Sequence, residues 1–283
     1  MMKTISLINT IKKAVPEQQA WWLLEKLTGR PQKKLMIQDE VEVSQEQLAM
    51  LQDWLHEIVM NSQPIQYILG YVPFCDVDII VKPPVLIPRP ETEEWVMKLI
   101  TELQPYKDQP LKILDLCTGS GCIGLALAHA LPNAQVVMSD VAEHALILAQ
   151  ENKQHNSISN CTIVPSDLFE VVKDYAPFDI IVSNPPYIPI EDYKHLDSSV
   201  KEWEDRLALE SGADGLNLIK KIIQESPNYL SSRNKTLEFP QLIMEIDHTQ
   251  GEAVTNLLNE SGFKNITIEQ DGYSKDRVAR ASF

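Results

Sequence analysis

No stretch of this sequence approaches the ~18–20 consecutive apolar residues that a membrane span requires. The opening segment, MMKTISLINTIKKAVPEQQ, lacks an apolar core followed by a small-residue cleavage site, so no secretory signal is expected. Cysteine is scarce: the four are Cys75, Cys117, Cys122 and Cys161. Their spacing offers neither a paired zinc motif nor a disulfide framework, which points to a reducing cytoplasm and no metal. Basic runs are missing too. None is longer than Lys12-Lys13, Lys33-Lys34 and Lys220-Lys221, and 25 Lys and Arg against 40 Asp and Glu leave a formal net charge of −15. Phosphate neutralisation supplies most non-specific affinity for nucleic acid. The balance therefore weighs against a nucleic-acid partner, although a local basic patch can sit on an acidic protein. Internal repeats and low-complexity tracts are also absent.

The 283 residues include 44% hydrophobic and 23% charged side chains, enough for one large globular domain or a large and a small one. The first sixty or so read as a small helical bundle. Trp21, Leu24 and Leu27 recur at helical spacing before a Gly29 stop. Ser44 with Gln47 has the form of a capping box ahead of the stripe Leu48, Leu51, Leu55 and Ile58. The Trp21-Trp22 pair is expected in the core. Next, PIQYILGYVPFCDVDIIVKPPVLIPRP is rich in β-branched residues and broken by Gly and Pro, which suggests a hairpin or extended connector. Beyond Glu91, helical and strand patterns alternate, and KNITIEQ with DRVARASF suggests a closing hairpin. The alternation implies an α/β fold with a largely parallel sheet. The expected organisation is a helical substrate-docking domain at 1–63, a connector at 64–87 and an α/β domain at 88–283.

ILDLCTGSGCIGLALA carries the first chemistry. Gly119, Gly121 and Gly124 fit G-x-G-x-x-G between a strand and a helix, where glycines let backbone turn sharply and approach a ligand. Asp140 ends the next strand, where an acid can accept from ribose hydroxyls; that alone suits NAD equally well. Asp167 follows the third strand, placed for an exocyclic adenine amine, with Leu168 to cover the ring. Asp115, just before the loop, is placed to receive an ammonium group. An acid after each of three strands suits a cationic nucleoside without a pyrophosphate, which favours S-adenosylmethionine over NAD. Singly, each acid reads equally as a helix cap, Asp140 best of all.

FDIIVSNPPYIP carries the second. A buried strand stops at Asn184-Pro185-Pro186-Tyr187, at the carboxyl end of the sheet where ligands bind in open α/β folds. Methyl transfer to a planar amino nitrogen needs its two N–H groups held. The Asn184 side-chain oxygen and the Pro185 carbonyl are two acceptors, the prolines fix their direction, and Tyr187 offers a packing face. A Pro-rich turn would leave Asn184 and Tyr187 unexplained.

NPPY after FDIIVS, with DLCTGSGCIG upstream, resembles S-adenosylmethionine-dependent amino-methyltransferases acting on adenine, guanine or protein glutamine. PIQYILGYVPF, VLIPRPETEEWV, LALESGADGL, LIMEID and DGYSKDRVARA extend the likeness along essentially the whole chain. Together they resemble the release-factor glutamine methyltransferases of the HemK/PrmC family. The IPRPETE connector favours that family over its ribosomal-protein glutamine relatives. The resemblance implies a Rossmann-like seven-stranded methyltransferase sheet behind the helical domain and hairpin. It implies S-adenosyl-L-methionine as cofactor, S-adenosyl-L-homocysteine as product, and a monomer acting on class 1 peptide-chain release factors at the Gly-Gly-Gln glutamine. Carried over, cofactor contacts fall at Cys117, Thr118, Gly119, Ser120, Gly121, Asp140, Asp167, Leu168 and Asn184. Catalysis falls to Asn184, Pro185 and Tyr187, and substrate contacts to Asn184, Pro185, Pro186, Tyr187, Arg89, Glu91 and Thr92. The chain departs from the family pattern at Cys117 (commonly Gly), at Asp247 (commonly Gly), and at a Tyr-Glu-Pro represented by Glu202-Trp203.

Overall fold

The computed structural model describes residues 2–232 and 239–283. The chain divides into two compact units. The first comprises Met1–Tyr71 together with Asp197–Trp203. It holds α1 (Thr4–Ile11), α2 (Glu17–Thr28), α3 (Gln32–Met36), α4 (Gln45–Met60) and α5 (Ile65–Leu69). The two-residue strands β1 (Met2–Lys3) and β2 (Glu40–Val41) pair antiparallel beside them. Ile8, Ile11, Leu23, Leu24 and Leu35 are fully buried between the helices. Ser44 caps α4 reciprocally: its hydroxyl accepts from Gln47 N at 3.1 Å, and the Gln47 side chain accepts from Ser44 N at 2.9 Å. Trp21 is buried, but Trp22 stays 38% exposed, so only one of the pair is core. The stretch expected to be extended begins instead with a helix, α5, which starts after Pro64 and stops at Gly70 (φ 85). A short apolar run fits either period, and here the bounding Pro and Gly select the helix.

The second unit comprises Val72–Leu196 and Glu204–Phe283. The hairpin β3 (Tyr71–Phe74) and β4 (Val77–Ile80) leads to α6 (Pro90–Leu103), which has Pro at its first turn with Glu91 and Glu93 to complement the helix dipole. Then follow β5 (Lys112–Leu116), α7 (Cys122–Ala130), β6 (Gln135–Asp140), α8 (Glu143–His155), β7 (Cys161–Pro165), α9 (Phe169–Val172) and β8 (Ile180–Ser183). The short helices α10 (Ile190–Tyr193) and α11 (Ser198–Lys201) follow, the latter within the segment that packs in the first unit. In that unit Trp203 Nε1 donates to the Asn61 carbonyl at 2.8 Å, and its ring lies 6.4 Å from that of Tyr67. The chain closes with α12 (Asn217–Glu225), β9 (Leu242–Glu245), α13 (Gly251–Glu260), β10 (Lys264–Gln270) and β11 (Asp276–Ser282).

The sheet order is β7-β6-β5-β8-β9-β11-β10. Neighbours from β7 to β9 run parallel, and β11 is antiparallel to both β9 and β10. This is the expected seven-stranded Rossmann-like sheet with its closing hairpin. The central strands are buried on both faces, which explains their unbroken apolar runs. Two amides, Asn152 of α8 and Asn156 just past its end, cover the free edge of β4. Asn152 accepts from Ile80 N and donates to Ile80 O, and Asn156 does the same at Asp78. Their i,i+4 spacing matches the alternation of the strand, so side chains replace a missing strand partner. Among the described residues, no helix is long and apolar enough to cross a membrane.

Candidate active site

The glycine loop joins β5 to α7. Cys117 has φ 58, Gly119 φ 55 and Gly121 φ 86. Cys117 thus occupies the left-handed region, which accounts for a glycine being common there. Gly121 and Gly124 face away from the cleft. A Cβ on Gly121 would meet Met138 Cε at 2.8 Å, and one on Gly124 would meet Met138 Cγ at 2.5 Å and Asp115 Oδ2 at 2.9 Å. These glycines let α7 pack on β6, so the close approach they allow is to the protein's own core. Thr118 and Ser120 are buried as well. Of the five loop positions carried over for the cofactor, Cys117 and Gly119 line the cleft.

Asp115 does not reach the cleft. It is fully buried, and Oδ2 accepts from Thr118 Oγ1 at 2.5 Å and from Gly124 N at 2.9 Å. Oδ1 is buried without a partner among the described residues. Burial pushes this carboxyl up to about 7, opposed by those two hydrogen bonds. The sequence placed Asp115 to meet an ammonium, whereas its fold-level task is to hold the loop onto α7.

Asp140, Asp167, Leu168 and Asn184 do come together, on the wall of one cleft with Pro186 and Ser166. Asp140 accepts from Gly119 N at 2.9 Å through Oδ2 and from Ala142 N at 3.0 Å through Oδ1. Each carboxylate oxygen therefore keeps acceptor capacity for a ligand hydroxyl. Leu168 sits at φ 46, held there by the Ser166 hydroxyl, which donates to Leu168 O and accepts from Val171 N. Val141, Ala145 and Leu207 add apolar wall.

At the corner after β8, Asn184 Nδ2 donates to Thr92 Oγ1 at 3.2 Å. The Thr92 hydroxyl donates in turn to Glu245 Oε2 at 2.6 Å, which also accepts from Trp95 Nε1 at 2.9 Å. Tyr187 OH donates to Glu245 Oε1 at 3.1 Å. Burial, then the neighbouring Glu245 charge, raise the Tyr187 phenol above its usual range, so the ring is a neutral face. Pro185 is buried. The Tyr187 carbonyl accepts from Gln250 Nε2 at 2.9 Å, and Gly215 passes so close that a Cβ there would lie 2.0 Å from it.

The IPRPETE residues divide. Thr92 is 1% exposed and backs Asn184 from behind, so it does not line the cleft as expected. Glu91 faces a separate hollow with Glu94, Lys98 and Arg277. Arg89 pairs with Glu204, Nη2 to Oε2, at 2.5 Å, and Glu204 Oε1 accepts from Ile87 N at 3.3 Å. Burial raises the Glu204 carboxyl, and the Arg89 charge opposes it. Glu202, the acid first matched to Tyr-Glu-Pro, is exposed, and its neighbour but one is the residue engaged. Glu204 and Glu245 were both missed as site residues. For Glu245 the available signal was an acid between Met244 and Ile246 at the end of an apolar strand; Glu204, between Trp203 and Asp205, offered none as clear. Asp247 accepts from Thr249 N and Thr249 Oγ1, so the departure at that position builds its own turn.

The sheet, the strand-end acids and the amide corner define a methyltransferase of Rossmann-like fold. A family model described as methyltransferase small domain matches residues 96–201, and one described as PrmC N-terminal domain matches residues 5–70. The solved structure of a SAM-dependent methyltransferase from Agrobacterium tumefaciens shares the fold, at a TM-score of 0.50 and 15% identity, covering 75% of this chain and 69% of that one. The chain is 36% identical over 257 residues to a release factor glutamine methyltransferase of Geobacter sulfurreducens, covering 91% of this chain and 86% of that protein. It is 34% identical over 285 residues to the Coxiella burnetii protein of that name, covering 98% and 96%. The chain belongs to the release factor glutamine methyltransferase family.

Proposed function

We propose that this protein is a cytoplasmic, monomeric protein-(glutamine-N5) methyltransferase. It transfers a methyl group from S-adenosylmethionine to the side-chain amide nitrogen of the glutamine in the Gly-Gly-Gln motif of class 1 peptide-chain release factors. The observation that carries the reading is that Asn184 lines the same cleft as Asp140 and Asp167, in a chain of this family. The residues fit the cofactor: Asp140 and Asp167 keep spare acceptor capacity in a cleft whose remaining wall is largely apolar apart from Asp205 and His144, which face each other at 3.1 Å.

When bound, S-adenosylmethionine supplies a methyl group activated on a positively charged sulfur. Asp140 would accept from the ribose hydroxyls and Asp167 from the adenine amine, while Leu168 would cover the ring. Cys117 and Gly119 would supply backbone beside the cofactor. Asn184 Oδ1 and the Pro185 carbonyl each accept one N–H of the substrate amide, which aims the nitrogen lone pair along the transfer axis. Pro186 and the Tyr187 ring pack its plane. The delocalised lone pair gains nucleophilicity as the nitrogen pyramidalises between these fixed acceptors. Its extra proton leaves to water after transfer, so no strong base is required. Arg89, held by Glu204, borders the substrate approach.

The test is mass spectrometry of a purified release factor incubated with the protein and S-adenosylmethionine. One methyl group on the Gly-Gly-Gln glutamine is expected. An unmodified release factor, or a methyl at another residue, overturns the reading.

A further inference from the structure

We propose that Thr92 and Glu245 form a positioning pair that fixes which end of the Asn184 amide faces the substrate, and so select a carboxamide over a carboxylate at the methyl-accepting position. The inference rests on the methyl-transfer reading above.

Glu245 Oε2 receives two donors, Thr92 Oγ1 and Trp95 Nε1. An indole N–H can only donate. With Oε2 unprotonated, as its acceptance from both donors requires, the single Thr92 hydroxyl hydrogen is committed to Oε2. Toward Asn184, Thr92 offers lone pairs alone. The Asn184 amide satisfies them with Nδ2 at 3.2 Å, which turns Oδ1 the other way. Oδ1 has no donor among the described residues, and Asn184 lines the cleft. A flipped amide would set Oδ1 against the Thr92 lone pairs and lose that bond, leaving a buried hydroxyl oxygen facing another acceptor.

The polarity of the cleft is thus set two hydrogen bonds away from it, at a residue 1% exposed. Burying a carboxyl is costly, and an apolar side chain of similar size serves stability as well or better. Three converging donors on one buried acid, two of them from the NPPY corner and its direct partner, give Glu245 a reason to be there that packing does not. An outward Oδ1 accepts from the N–H of a glutamine. It meets only lone pairs and negative charge on a glutamate. The same carboxyl holds Tyr187 OH, so the acceptor and the packing face are registered to one anchor.

The test compares Thr92→Val, close in shape but without a hydroxyl, with Thr92→Ser, which restores it. Steady-state kinetics on the release factor are read beside calorimetric binding of S-adenosylhomocysteine and competition by a release factor bearing Glu in place of the motif Gln. Thr92→Val is expected to lower kcat by about tenfold to hundredfold, less than Asn184→Ala, which removes the acceptor outright, with unchanged cofactor-product affinity. Wild type is expected to prefer the Gln over the Glu protein clearly. That preference should shrink in Thr92→Val and return, with kcat, in Thr92→Ser. Wild-type kcat in Thr92→Val overturns the proposal, as does a fall in kcat with the Gln preference intact or without rescue by Ser. Thr92→Ala, read the same way, takes its place if Thr92→Val does not fold. Failure of wild type to methylate the release factor counts against the methyl-transfer reading instead.

Discussion

Asp115 behaves least like a surface acid. It is buried with one oxygen satisfied twice and the other not at all, and its carboxyl is raised from 3.8 to about 7. The folded protein therefore binds this proton more tightly than the unfolded chain. The contribution to stability is fully present below about pH 4 and is lost as pH rises toward 7. Glu204 and Glu245 are raised in the same sense, so the useful measure is a difference from wild type. Asp115→Asn should flatten the decline of unfolding free energy between pH 4 and 7, measured by denaturant titration at several pH values. An unaltered slope would mean that Asp115 titrates normally. The contrast with Asp140 shows what is legible at this scale. Both acids end strands beside the loop, but Asp140 is turned by Gly119 and Ala142 into the cleft, and Asp115 by Thr118 and Gly124 into the core. Spacing reveals that an acid is present, and only the folded loop decides its direction.

At the scale of elements, most helices and strands of the second unit follow from periodicity and from glycine and proline punctuation. Two features do not. The edge of β4 is closed by side-chain amides in and just past α8, a pairing more than seventy residues apart that no local pattern encodes. The chain before α12 is drawn to the IPRPETE connector by Glu204 and Arg89, again across a long loop. Glu204 is buried and Arg89 partly exposed, so solvent screens half of the pair. Glu204→Ala is expected to cost about 1–3 kcal/mol. It should also raise KM for the release factor more than it lowers kcat, because Arg89 loses its anchor. Unchanged stability and KM together would remove Glu204 from any role at the site.

For the whole molecule, the alternation of patterns implied a largely parallel sheet and the family likeness a seven-stranded one, and the sheet shows both. The return of Asp197–Trp203 to the first unit was not legible. Trp203 reaches Asn61 and Tyr67 more than a hundred residues away, and its neighbours in sequence show no helical or strand period. If the first unit docks the protein substrate, residues 72–283 alone should bind S-adenosylhomocysteine normally. They should show at least a tenfold higher KM for the release factor, with little change for a short Gly-Gly-Gln peptide. Equal KM for the intact factor would place docking elsewhere.

The amide corner also counts. On the proposed mechanism, Asn184 Oδ1 and the Pro185 carbonyl would make two places for two N–H groups, and a glutamine brings both. After one transfer the nitrogen carries a methyl group and a single N–H, so a returning product fills one place and pushes carbon against the other. The missing hydrogen bond disfavours a second reaction at the same atom by about 1–3 kcal/mol, the cost of an unsatisfied acceptor. A second methyl should therefore be added roughly five- to 150-fold more slowly than the first, measured as initial rates on unmodified and monomethylated release factor. The preference for a single methyl would then be set by the number of acceptors at a strand end.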